Sequence, residues 1–105
     1  VRFGGLTNGG TFTLSYGAET TAPIQYTTNT GTMRTRIANA VGALSFVGGT
    51  ANIRVDNFEI EGPTPRDQVY GISFINPFFR QNITDVAVGS NNLTTSNNSA
   101  AIIQV

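Results

Sequence analysis

Apolar and polar residues alternate strictly along "GTFTLSY" at residues 10–16, with Phe12, Leu14 and Tyr16 on one face and Thr11, Thr13 and Ser15 on the other. Period two with β-branched polar partners predicts a half-buried strand. "SYGAE" then reads as the turn of a hairpin. "AETTAPIQYTT" repeats the alternation at Ile24 and Tyr26, with Pro23 near the strand start, where its missing N–H is tolerated. The period changes at residue 30. Met33, Ile37, Val41 and Leu44 fall at i, i+4, i+8 and i+11, one face of a helix over residues 31–43, with Asn29 or Thr30 as its cap and Gly42 as its stop. Arg34 and Arg36 lie off that stripe, on what reads as a solvated face.

Alternation returns at Ile53 and Val55, and Phe58 and Ile60 continue it with a phase slip at Asp56–Asn57 that predicts a bulge or tight turn. "EGPTPRDQ", with two prolines and dense charge, reads as a loop. "VYGISFI" at 69–75 is apolar at most positions, as a central strand would be. "NPFFRQN" follows as a turn, "ITDVAV" as a strand, "GSNNLTTSNNS" as a polar loop or linker, and "AAIIQV" as the last strand. The sum is seven or eight strands and one helix in a single module spanning residues 1–105. The expected fold is mostly β: a sandwich, immunoglobulin-like in general architecture, with the helix packed on an edge or open face.

Composition narrows the chemistry. Six Arg balance three Asp and three Glu, so there is neither a basic footprint for nucleic acid nor an acidic tail. No apolar run reaches the length of a membrane span. Cys, His, Trp and Lys are all absent. Without them the usual ligands of zinc, copper and haem are missing, and Ser–His or Cys–His nucleophilic machinery cannot be built. The expectation is a protein that is not an enzyme and holds no cofactor. Abundant Thr, Ser, Asn and Gly with little charge fits an extracellular or cell-surface β-protein.

The stretch "NGGTFTLSYGAETTAPIQYTTNTGTMRTRIANAVGAL", followed in order by "NIRV", "VYGISFI", "TDVAV" and "NNLT", resembles a tandem β-rich repeat module. That module occurs in giant secreted or surface proteins of bacteria, in phage structural proteins and in fibrocystin-like ectodomains. The resemblance covers most of the chain, while "FEIEGPTPRDQ" and "NPFFRQN" depart from it. It implies an extra opening strand before "GGTF". Here "VRFGGL" supplies the second half of that strand and "AIIQV" the first, as though the unit boundary fell inside one strand. The resemblance thus implies one unit of a head-to-tail array of copies, with residues 102–105 completing the neighbouring unit's sheet. Tandem covalent repeats and exchange of a strand between subunits both produce such an array. The candidate inter-unit contacts are Ile102, Ile103 and Val105 on the donating side and Val1, Phe3 and Leu6 on the receiving side. The plainer alternative is a domain whose first and last strands pair within it.

Three further groups are candidates. Asn82, Asn92 and Asn97 open N-x-Ser/Thr sequons, all between residues 82 and 99, and would carry covalent N-glycans in a host that attaches them. Thr-rich strands offer O-glycan positions, although exposed Thr is already explained by β-propensity. Asp56, Glu59, Glu61 and Asp67 form the one acidic grouping; an exposed strand face accounts for it as well as a Ca²⁺ site would. Phe78 and Phe79 are adjacent, so extended backbone would turn one of them outward as a contact for a sugar or a neighbour. The resulting expectation is a structural subunit of an extracellular fibre, with a carbohydrate-binding or adhesion domain as the alternative.

Overall fold

In a computed structural model, residues 1–45, 47–61, 65–74, 86–97, 101 and 103–104 are described. They form β1 (Arg2–Phe3), β2 (Thr7–Tyr16), β3 (Glu19–Thr20), β4 (Ile24–Gln25), α1 (Thr30–Gly42), β5 (Ile53–Glu59), β6 (Gln68–Phe74), β7 (Val86–Thr95) and β8 (Ile103–Gln104). Two antiparallel four-stranded sheets result, the β-sandwich that the alternation predicts. Sheet A has the order β5–β6–β1–β8. Sheet B is centred on β2, with β7 along one edge and β3 and β4 in succession along the other.

Period two in β2 sends Phe12, Leu14 and Tyr16 into the core and leaves Thr11, Thr13 and Ser15 outside. The hairpin at Tyr16–Glu19 forms as expected, with Gly17 at φ +62° supplying the turn. Asn29 caps α1, its Oδ1 accepting from the Thr32 N–H at 3.0 Å. The helix buries Met33, Ile37 and Val41 against β5 and β4, the neighbouring edges of the two sheets, and so closes one side of the sandwich. Arg34 is exposed, but Arg36 is half-buried and donates to the Gln25 carbonyl at 3.1 Å. On the opposite side β7 and β8 approach, and Asn91 Nδ2 donates to the Ala101 carbonyl at 3.1 Å.

Two expectations are corrected. β5 runs from Ile53↔Phe74 to Glu59↔Gln68 against β6 without any register shift, so there is no bulge at Asp56–Asn57. The break in the apolar pattern arises because Phe58 is on the outer face, 57% exposed and lying over Gly71. The polar stretch from Gly89 to Thr95 is not a loop but the second half of β7, paired with Thr7–Thr13 of β2. The bulges are here instead: Asn8 is the extra residue in β2, and Gly89 is the extra one in β7. A Cβ on Gly89 would fall 2.5 Å from Thr13 Oγ1 and 2.9 Å from Ser15 Oγ, so a larger residue at the second bulge would have to turn those hydroxyls aside.

The outer face of sheet B is lined by hydroxyl and amide groups. Thr13 and Ser90 share a hydrogen bond at 3.1 Å, as do Ser15 and Thr20, and Thr94 bonds Asn8 at 2.8 Å. Among the described residues none on this face is charged.

The core is aromatic at its centre, and this shapes its response to alkali. Burial pushes the Tyr16 phenol up to about 12; burial and the neighbouring Tyr26 do the same to Tyr70, partly offset by Arg34. Below pH 10 the folded and unfolded chains both keep most of these protons, and the two tyrosines add little pH dependence. Above pH 10 the unfolded chain ionises first, so stability falls as pH rises towards 12. Two such tyrosines imply a loss of about 2 kcal/mol between pH 10 and 11. Thermal melts followed by circular dichroism should show the decline; a melting temperature flat from pH 9 to 11 would contradict it.

Candidate functional site

Sheet A is built unevenly. β5 and β6 are seven residues long and pair along their whole length, whereas β1 and β8 have two residues each. β1 lies against the start of β6, with Arg2 opposite Val69 and Phe3 opposite Gln68. Val1 extends this pairing: its nitrogen donates to the Tyr70 carbonyl at 2.8 Å, and the Tyr70 N–H returns a bond to the Val1 carbonyl at 2.7 Å. Beyond that point no strand of the described residues runs beside β6 on its β1 side at Gly71–Ser73. Ile72 and Phe74, both half-buried, pack against the core.

Asp67 holds β1 in place. One carboxylate oxygen takes Arg2 Nε at 2.9 Å and the Arg2 terminal nitrogen at 2.7 Å, and the other accepts the Gly5 N–H at 2.9 Å. Gly5 sits so close to the Pro65 carbonyl that a Cβ would be 2.1 Å from its oxygen. Phe3, 0% exposed, enters a socket of Phe12, Tyr26 and Tyr70, with ring centroids at 5.0, 5.0 and 5.8 Å. The chain then crosses to sheet B through Gly4–Leu6, closed by a Thr7 N–H to Gly4 carbonyl bond at 3.1 Å. Leu6 is 37% exposed on that crossover. Thr7, only 4% exposed, buries a hydroxyl that has no hydrogen-bond partner among the described residues.

The structure brings Val1, Phe3 and Ile103 together. β8 pairs with β1 of its own chain, Phe3 opposite Ile103 and Arg2 opposite Gln104. Leu6 is set apart from them on the crossover, and Phe3 serves the core of its own unit. Ile102 and Val105 lie outside the described residues, as do Asn82, Phe78 and Phe79. Asn92 is in β7, opposite Thr11, rather than in a loop, and Asn97 is in the turn after it; both are exposed.

The acidic grouping divides among separate arginines: Asp56 with Arg54 at 3.2 Å, Glu59 with Arg66 at 3.8 Å, and Asp67 with Arg2. Among the described residues no three acidic side chains converge as metal ligands would. A cleft of about 480 Å³ between β4 and α1 is lined by Pro23, Ile24, Gln25, Arg36, Ala40 and Leu44. Its one charged group, Arg36, is engaged by the Gln25 carbonyl. Among the described residues no helix is long and apolar enough to cross a membrane. The sequence alone showed Asp67 only as one of the acidic grouping, not as the clamp on β1, and gave no sign of Thr7, because their roles depend on partners about sixty residues away or on a missing one. Tyr70 was readable only as a core residue of "VYGISFI".

No known protein family, curated protein or solved structure matches this chain.

Proposed function

We propose that this chain is a structural subunit or repeat of an extracellular filament, assembled head to tail by completion of sheet A between successive copies. The observation that carries the reading is that, among the described residues, no strand runs beside β6 on its β1 side at Gly71–Ser73. An unpaired strand edge above half-buried apolar side chains is a template for added backbone. A strand of the adjacent copy fills it, either as continuing polypeptide or as an exchanged segment. The hydroxyl-lined face of sheet B keeps the filament hydrated, and the exposed Asn92 and Asn97 are positions for glycans.

The test is the intact mass of native material under denaturing conditions, together with electron microscopy. Filaments whose chains are far heavier than one unit mean covalent repeats; filaments of single-unit mass mean exchanged strands. Single-unit mass without filaments overturns the proposal. That last result would favour a carbohydrate-binding or adhesion module. Phe58 supports this second reading, as a ring 57% exposed on the outer face of sheet A beside Val69.

A further inference from the structure

The cleft between β4 and α1 has no part in the joining of copies. We propose that it binds a sugar acid, a hydroxylated ring bearing one carboxylate, with the Arg36 guanidinium and the Gln25 N–H as the carboxylate's partners. The site belongs to a single unit and does not depend on the filament reading.

Two struts tie the helix segment to the edge of sheet B. Arg36 donates to the Gln25 carbonyl at 3.1 Å, and Ser45, just past the helix, bonds the Glu19 carboxylate through its N–H at 3.0 Å and through its hydroxyl. The cleft of about 480 Å³ is of the size that holds a small ligand, and buried Ile24 and Leu44 give it an apolar floor. Its charge is one-sided. Arg36 is half-buried and, among the described residues, joins no ion pair, and no acidic side chain lines the cleft. The bond to Gln25 fixes the guanidinium while using one of its five N–H donors. A backbone donor stands beside it. The Tyr26 N–H goes to the Gly10 carbonyl and Ile24 is opposite Phe12, so Gln25 between them turns its own N–H and carbonyl to the free side of β4. Arg36 takes that carbonyl, and the N–H has no partner among the described residues. Two adjacent donors, one of them charged, match the two oxygens of a carboxylate. Elsewhere in the lining, Thr21, only 5% exposed, accepts the Leu14 N–H at 3.0 Å and keeps its hydroxyl proton to donate, and Asn39 adds an exposed amide. These suit hydroxyl groups. An amino acid would bring an ammonium that no carboxylate here could answer, and a long alkyl chain would lie against polar groups.

The 105-residue chain is titrated with glucuronate and followed by amide NMR shifts, with glucose as the ring without the charge and acetate as the charge without the ring. The expected result is a saturable shift at Gln25, Ala40 and Ala43, with glucose and acetate each binding at least about tenfold more weakly. Arg36→Gln removes the charge. Gln25→Pro removes the one N–H, which lies on the free side of β4 and carries no bond to β2. Each variant is first checked by its melt, and each should weaken glucuronate by about tenfold or more. Because the two changes are on opposite walls, one folded variant is enough to decide. Acetate binding as tightly as glucuronate would mean an adventitious ion only and would overturn the proposal. Unchanged glucuronate binding in a folded variant, or shifts confined to other amides, would overturn it as well. Binding is read on one unit, so either result leaves the filament reading where it stands.

Discussion

Phe3→Ala should lower stability by about 3–5 kcal/mol, the range for truncating a fully buried phenylalanine. Three ring contacts are lost at once, and they come from both sheets: Phe12 belongs to β2, Tyr26 follows β4, and Tyr70 belongs to β6. The effect extends beyond the cavity. β1 contributes one fully buried side chain, and β8 pairs with β1, so loss of the anchor loosens two of the four strands of sheet A together. For a domain of this size the melting temperature should drop by at least about 12 °C. Hydrogen exchange gives a second readout. The Tyr70 N–H, bonded to Val1, should lose protection far more than amides in the β2–β7 ladder. A melting temperature within a few degrees of the parent would show that Phe3 is not at the centre of the core.

Gly10→Ala should be nearly as damaging, for a different reason. Gly10 has φ +84°, and a Cβ there would lie 2.2 Å from the Asn92 carbonyl oxygen and 2.7 Å from Leu93 Cα. The left-handed backbone alone costs an alanine about 1–2 kcal/mol. The collision is with backbone, so relief requires β7 to move away from β2. A total of about 3 kcal/mol or more is expected. Gly17 supplies the comparison. Its φ is +62°, but nothing lies within 4 Å of its would-be Cβ, so Gly17→Ala should show the conformational cost alone. Chemical denaturation of both variants measures the difference. Equal losses would mean that the β2–β7 pairing does not approach as closely as described.

The contrast between these two glycines also shows what could be read from sequence. The "SYGAE" turn was legible because it lies between two alternating runs, and local pattern is enough to place it. β2, the helix and the central position of β6 were legible for the same reason: each has an apolar period of its own. The second half of β7 was not. Opposite Gly9 and Gly10 there is little core to touch, so "SNNLTT" has Leu93 as its lone apolar residue and looks like a linker. Phe58 misled in the opposite direction, since an apolar residue on an outer face imitates a slip in register. At the candidate seam, the apolar residues near the two ends of the chain pointed to one another, and Phe3 and Ile103 do lie side by side. The clamp by Asp67 and the stranded Thr7 hydroxyl follow from tertiary packing alone and leave no local trace.

The hydroxyl-lined face of sheet B gives the molecule two electrically different flanks. Among the described residues the three ion pairs all belong to sheet A and its hairpin, involving Arg2, Arg54, Arg66 and their acidic partners. Salt weakens such exposed pairs, but among the described residues it has nothing comparable to act on across the outer face of sheet B, where hydration rests on dipoles. Ionic strength therefore addresses one side of the molecule more than the other. If copies are arrayed with a common orientation, that asymmetry becomes a polarity of the whole fibre across its width: one flank tunable by the medium, the other constant in it.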